Sequence, residues 1–463
     1  MSNSPDIRRR TSGSRRRASS EIQTEHEYFR GVFTAINERP VDDISLEFLY
    51  KPHTLTLLSV VIGFLLYSAF TRDDSNRDDN IWSGLKSLVF FFMVISSLAF
   101  PNGPFIRPHP VIWRMVFGLS VLYLITLQFV LFQNYNDNKA LLTWLDPARL
   151  DRASLGVDAK DYAVNCSQLS WSRIYNSLDY FAFAHYAGWV MKAVLIRHAF
   201  LCWYISIAWE VTELAFSHLL PNFLECWWDS LVLDVLICNG LGIWTGLFIC
   251  RKLEMRTFHW ESIKNIPSAM GKIKRAVLQF TPESWIHVRW LDPNCSWMRV
   301  IALWNFVFVW LVGELNTFFL KHIFAIETEH PLNMIRIFII AAIAAPSIRQ
   351  YYTYITDPMC KRVGTQCWVY CAVTFTESIV CVKFGLELFA KTEVIKIVIW
   401  VMLLIVCTAI CLYFCVMRAT RSADTEIVKI NGEVKHKFVD SSVENLTAES
   451  DDTLLVPRKR RLR

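Results

Sequence analysis

Residues 185–246 read HYAGWVMKAVLIRHAFLCWYISIAWEVTELAFSHLLPNFLECWWDSLVLDVLICNGLGIWTG. Apolar runs stop at short polar turns and start again, each near the roughly 20 residues a helix needs to cross a bilayer. His185 and several carboxylates are set inside these runs. A charge at mid-bilayer costs at least about 2.5–3.5 kcal/mol on the insertion scale, so each such group needs a partner or a task.

The same pattern fills the rest of the chain. Of 463 residues, 53% are hydrophobic, and 18 Trp and 15 Tyr supply the rings that favour membrane interfaces. Mean hydropathy is +0.29. Ten candidate spans fall near 53–70, 81–100, 111–132, 177–196, 199–219, 229–250, 297–319, 333–352, 367–388 and 393–417. The expected fold is therefore all-α, a polytopic membrane protein with about ten transmembrane helices. Residues 1–45 and 420–463 are polar, Ser-rich and charged, so they are expected to be disordered tails around a membrane domain over 46–419. No short apolar core followed by a small-residue cleavage site opens the chain, so no removable signal peptide is expected.

Net charge is +6, much of it in Arg8-Arg9-Arg10, Arg15-Arg16-Arg17 and the last six residues, RKRRLR. Basic ends of this kind suit nucleic acid. Beside ten apolar spans they instead mark the cytosolic side, and no nucleic-acid partner is expected. Ten spans return both termini to that side. The loops agree: TRDDSNRDDN at 71–80 is acidic and lumenal in this topology, whereas 251–296 carries eight Lys/Arg against four acids and is cytosolic. Within it, MGKIKRAVLQF at Met270–Phe280 alternates charge and apolar surface as an interfacial helix does.

Spans four to six hold Asp179, His185, Lys192, Glu210, Glu213, Asp229, Asp234 and Asn239, with Asn222 and Glu225 in the turn before span six. At about 1.5 Å per residue, His185 lies about 12 Å inside one end of span four, and Glu213 and Glu210 about 9 and 14 Å inside the matching end of span five. The three antiparallel helices thus put His185 and the acids at one level. Glu210 and Glu213 share a face at i, i+3, and Glu225 and Asp229 share one if the helix begins early enough. Close carboxylates repel unless a cation intervenes, and an oxygen-rich set suits Ca²⁺ or Mg²⁺. A lone histidine near neutrality suits general acid–base work. A bland reading competes: core histidines are usually just hydrogen-bonded, and membrane carboxylates are often structurally paired. Glu314, Glu377 and Lys383 are read that way, as partners of Lys, Arg or helix carbonyls. Trp189, Trp209, Trp227 and Trp228 are packing or interface residues, with an aromatic cage for a quaternary ammonium as the alternative.

The 185–246 stretch closely resembles eukaryotic phosphatidylserine synthase of the base-exchange type, in particular the phosphatidylcholine-using form. RPHP at Arg107–Pro110, GKIKRAVLQFTP at Gly271–Pro282, ELNTFFLKHIF at Glu314–Phe324 and KRVGTQCW at Lys361–Trp368 extend the resemblance over roughly residues 35–417. It implies an endoplasmic reticulum enzyme, a phosphatidyltransferase that exchanges the choline of phosphatidylcholine for L-serine and requires Ca²⁺. The family's catalytic histidine falls on His185, and its acidic and amide positions on Glu210, Glu213, Asn222, Glu225, Asp229, Asp234 and Asn239. The expected division of labour makes His185 the general base. Glu210, Glu213, Glu225 and Asp229 hold the cation, and Asn222, Asp234 and Asn239 orient ligands or bind serine.

Rival readings are a cation-coupled transporter and a membrane-bound acyltransferase using His185. The CDP-alcohol phosphotransferase pattern DGxxAR…GxxxDxxxD is absent from the sequence. The resemblance also implies restraint by the product, phosphatidylserine. Arg107, His109, Cys202, Arg275, Gln279 and Arg349 all fall near the cytosolic ends of their segments and are the expected regulatory lipid site, since guanidinium pairs bidentately with phosphate or carboxylate. A homo-oligomer is compatible with this reading. Most of the 13 Cys sit in apolar runs as small hydrophobes. Cys166 and Cys226 alone fall in lumenal loops; two unpaired thiols are expected, with a disulfide as the alternative.

Overall fold

A computed structural model describes residues 55–72, 75–105, 107–146, 166–167, 180–254, 266–280, 290, 297–327, 330–357, 360–414 and 417. The two tails and Asp179 lie outside them. The described residues form helices α1 (Leu55–Thr71), α2 (Arg77–Ala99), α3 (Pro110–Phe132), α4 (Tyr135–Leu145), α5 (Tyr180–Ile196) and α6 (Ala199–Phe216). A 3₁₀ turn at Pro221–Phe223 leads into α7, which is π-wound over Asp229–Asn239 and α-helical over Gly240–Glu254. Then come α8 (Ala269–Leu278), α9 (Trp297–Ile323), α10 (Pro331–Thr356), α11 (Thr365–Phe384), the short α12 (Leu386–Phe389) and α13 (Val394–Phe414). Among the described residues there is no strand.

Eight helices are long and apolar enough to cross a membrane, and two shorter apolar stretches, Ser59–Thr71 and Ala182–Ile196, lie in α1 and α5. Together they occupy the ten expected spans. The chain is thus an all-helical, multi-pass membrane protein. Its outer helices present apolar side chains outward, Phe70 at 85% exposed and Phe132 at 82% among them, a surface that suits lipid rather than water.

Local chemistry sets the helix ends. Asn76 and Asn134 cap α2 and α4 by accepting from Asp78 and Asp137 backbone N–H groups. Histidines do the same for α3, α6 and α10: the His109, His198 and His330 side chains accept from Val111, Leu201 and Leu332. Two of these helices open with proline, whose missing N–H is no loss at that position. The Gln350 side-chain oxygen, from α10, accepts from Gln366 and Cys367 N–H and so caps α11 from outside.

Side-chain bonds between helices join the bundle. Trp400 on α13 donates to Thr212 on α6 at 2.8 Å, and Tyr204 on α6 donates to the Leu404 carbonyl at 3.2 Å. α5 and α7 approach most closely at Gly242 and Gly246, spaced four apart. A β-carbon at Gly242 would lie 2.6 Å from Trp189 Cβ, and one at Gly246 2.6 Å from the Val190 carbonyl oxygen. Small residues at this spacing let two membrane helices touch along their backbones. The expected interfacial helix is α8. Met270, Ile273, Val277 and Phe280 point outward while Arg275 and Gln279 are buried against the bundle, so the outward face is the apolar one, as membrane contact requires.

Candidate functional site

α5, α6 and α7 carry the site. His185 Nε2 lies 2.6 Å from Asn239 Oδ1. The Asn239 amide donates to Ser206 Oγ at 2.7 Å, and both residues are fully buried. With the amide nitrogen engaged there, Oδ1 faces the imidazole, an arrangement that suits the tautomer with the proton on Nε2 and a basic Nδ1. One turn along α6 from Ser206, Glu210 Oε2 accepts from Ser230 Oγ at 2.5 Å. Its other oxygen, Oε1, is buried without a hydrogen-bond partner.

The remaining acids gather around Glu210. Glu213 feels the charges of Glu210, Glu225 and Asp234. Glu225 and Asp234 are close enough to interact directly. Burial, with the like charges of Asp229 and Glu210, lifts the Glu225 carboxyl to about 7. The charges acting on Glu213 and Glu225 are all acidic. A set of oxygen donors of like charge suits a hard divalent cation. The carboxylates are not closed around a common point, however: among the described residues no three His, Cys, Asp or Glu side chains converge closely enough to hold a metal. Asn222 sits on the 3₁₀ turn at the same end.

His185 is not level with the acids. It meets Asn239, five residues beyond Asp234, and its nearby charges are Lys192 and Glu314. Glu225 precedes α7 rather than sharing its face with Asp229. The site is therefore two adjoining parts, an acidic end and a deeper His185–Asn239–Ser206 set, joined along α6 and α7. Ser206 and Ser230 are functional candidates that sequence reading passed over. Ser206 stands one helical turn from Glu210, and that spacing is the signal that marks it.

Glu314, Glu377 and Lys383, expected as structural partners, are paired. Lys192 Nζ lies 2.6 Å from Glu314 Oε1 and 4.3 Å from the Trp189 ring centre. Glu377 is held by Arg336 at 2.9 and 2.6 Å. Lys383 donates to the carbonyls of Leu131 and Gln133. Cys166 and Cys226, expected as free thiols, are joined in a disulfide. The correction has a simple cause: the turn before α7 brings Cys226 within bonding reach of residue 166, with Cα atoms 5.1 Å apart.

A second polar group forms where the 107–110 turn meets α8. Arg275 Nη1 donates to Gln279 Oε1 at 2.8 Å, and Gln279 Nε2 to the Pro108 carbonyl at 3.0 Å. The Arg107 carbonyl accepts from the Trp113 indole at 2.7 Å, and His109 caps α3. Arg349 is buried on α10, 5.7 Å from the Tyr352 ring. Tyr352 packs on Trp290, which donates to the Ile196 carbonyl at the end of α5. Cys202, bonded through its N–H to the His198 carbonyl, starts α6 at that same end.

A histidine network and an adjoining acidic cluster on three neighbouring helices of a membrane bundle suit a membrane-embedded enzyme. Comparison with known proteins narrows it. The phosphatidyl serine synthase family model matches residues 108–385. Phosphatidylserine synthase 1 of Danio rerio is 56% identical over 391 residues, 84% of each chain. Phosphatidylserine synthase of Drosophila melanogaster is 53% identical over 406 residues, 88% of this chain and 80% of the fly protein. A protein of Oryza sativa subsp. japonica named CDP-diacylglycerol–serine O-phosphatidyltransferase 2 is 39% identical over 351 residues, 74% of this chain and 83% of its own. The chain belongs to the phosphatidylserine synthase family.

Proposed function

We propose that the protein is an L-serine phosphatidyltransferase that makes phosphatidylserine by Ca²⁺-dependent base exchange, replacing the choline of phosphatidylcholine with serine. The observation that carries this reading is the buried His185–Asn239–Ser206 network, one helical turn along α6 from Glu210, whose neighbours Glu213 and Glu225 feel the charges of further carboxylates. His185 Nδ1 takes the proton from the serine hydroxyl. The serine oxygen forms the new bond to phosphorus, the choline oxygen leaves, and the proton passes to it. One phosphodiester replaces another, so no nucleotide is consumed. Glu210, Glu213, Glu225 and Asp229 would hold Ca²⁺, which supplies positive charge to the phosphate oxygens. Asn239 orients the imidazole, and Asn222 and Asp234 orient the serine.

The acidic end belongs on the lumenal side of the endoplasmic reticulum membrane, with both termini cytosolic; the Cys166–Cys226 bond beside Glu225 suits that oxidising face. Arg107, His109, Cys202, Arg275, Gln279 and Arg349 then lie toward the cytosol, where buried guanidinium groups suit product phosphatidylserine as a feedback ligand.

The test is purified protein with labelled serine and defined lipids. Serine should enter lipid from phosphatidylcholine, choline should be released in equal amount, and chelation should stop both until Ca²⁺ is restored. Incorporation from CDP-diacylglycerol alone, the donor named for the rice relative, would overturn base exchange.

A further inference from the structure

Away from the acids, α9, α10 and α11 enclose a cavity of about 660 Å³ lined mostly by aromatic and aliphatic side chains. On α9 the lining runs from Ile301 to Trp310, a rise of about 14 Å. Half of a bilayer's hydrocarbon core is about 15 Å. Ile301 and Phe375 at the rim are half exposed on the outer surface, so the cavity opens sideways into lipid.

Its inner end abuts the reaction site. The Trp310 ring lines the cavity while its indole N–H donates to Glu314 Oε1 at 2.7 Å. Glu314 holds Lys192, whose ammonium also lies 5.9 Å from the Trp310 ring centre and whose charge reaches His185. The middle of the lining lies level with the far end of α5, because Trp290 bonds the Ile196 carbonyl and packs on Phe306, and the outer end at Ile301 lies beyond it. The cavity thus starts beside Lys192 and runs away from the acidic end of the helices.

Depth gives the cavity a task. Lys192 is 12 residues along α5 from Tyr180, about 18 Å. A lipid whose phosphate is drawn inward toward His185 carries its tails inward equally, past the middle of the bundle. Those methylene groups need apolar space at the depth where this cavity lies. We propose that the cavity takes one acyl chain of the phospholipid substrate while its head group is at the His185 site. This rests on the reading of the protein as a phospholipid head-group transferase.

Val309→Phe and Ala302→Leu fill the cavity from α9 and touch none of the site residues. With labelled serine, both variants should raise the KM for dioleoyl phosphatidylcholine about tenfold. KM for dihexanoyl phosphatidylcholine, whose chains are too short to enter, should stay at the wild-type value. Unchanged KM for the long-chain lipid in both variants would overturn the proposal, as would an equal rise for both lipids. Should a variant fail to fold, the wild-type protein decides. Phosphatidylcholine with a photoactivatable diazirine at its tail end should label peptides spanning 301–310 or 367–375, and excess dioleoyl phosphatidylcholine should suppress that labelling. Labelling confined to outward-facing residues of α13 would refute the site. A wild-type protein that turns over neither lipid would instead refute the head-group transferase reading.

Discussion

The tautomer of His185 hangs on an amide. Asn239 gives its N–H to Ser206 and its oxygen to the imidazole, so one substitution frees the ring and removes the acceptor that favours a proton on Nε2. His185→Ala should lower kcat for serine incorporation by about 10²–10⁴, the usual worth of a general base. Asn239→Leu should cost about 10–100-fold, as loss of an orienting partner does. Asn239→Asp keeps an acceptor for Nε2 and should retain more activity than the Leu variant. All three are to be read at matched membrane abundance; an Asn239→Leu enzyme with wild-type kcat would remove the amide from the mechanism. Glu213→Gln and Asp229→Asn should each weaken activation by Ca²⁺, measured as a higher cation concentration for half-maximal turnover. His185 and the acids were legible in the sequence because ionisable groups are expensive inside apolar runs. Ser206 and Ser230 were not, because a hydroxyl inside a helix can satisfy itself on its own backbone and stands out by no cost.

The first half of α7 is where periodicity misleads. Asp229, Asp234 and Asn239 are five residues apart, and on an α-helix successive members would point about 140° away from each other. Winding with i→i+5 bonds over Asp229–Asn239 stacks them toward one side, and such π segments recur at functional sites. The sequence supports ten spans because apolar runs of about 20 residues need no finer signal. It does not reveal the winding, because apolar residues lie on all sides of this segment and leave no stripe whose period could be read. The split between the acidic end and the deeper histidine comes from the choice of partner, since His185 meets Asn239, ten residues beyond Asp229. The turn before α7 adds a second constraint. Cys226 is bonded to Cys166 beside Glu225, so the bond restrains the loop that supplies one carboxylate. Cys226→Ser should raise the Ca²⁺ needed for half-maximal turnover while leaving kcat at saturating Ca²⁺ near wild type. Peptide mass spectrometry without reductant should find the 166–226 linked pair; two alkylated thiols in protein from intact membranes would contradict it.

Across the molecule, the site helices α5–α7 are flanked by α9, and on its other side α3, α10 and α11 meet around one carboxylate. Glu377, fully buried on α11, takes a two-pronged contact from Arg336 of α10 and a hydrogen bond from Tyr123 of α3 at 2.5 Å. Asn316 of α9 donates to it at 3.4 Å and to the Thr374 carbonyl at 2.8 Å, while Arg336 also reaches Thr317 of α9 at 2.5 Å. Four helices, α3 and the successive α9, α10 and α11, are thereby joined around one fully buried carboxylate. A charge pair of this kind need not stabilise the fold relative to an apolar replacement, because both ions must be desolvated, but breaking it leaves one charge buried alone. Glu377→Ala should therefore destabilise the protein by about 3–5 kcal/mol, with a lower thermal midpoint in detergent and less protein in membranes. Arg336→Met combined with Glu377→Leu removes both charges and should recover most of that loss, a coupling that a double-mutant cycle reads directly. The molecules that do fold should keep nearly wild-type kcat, because His185 and its acids sit on the other side of α9. His185→Ala should show the opposite pattern, with normal abundance and kcat lowered by about 10²–10⁴. A Glu377→Ala protein with wild-type thermal stability and lost kcat would mean that this carboxylate serves the reaction, and the separation of scaffold from site would fail.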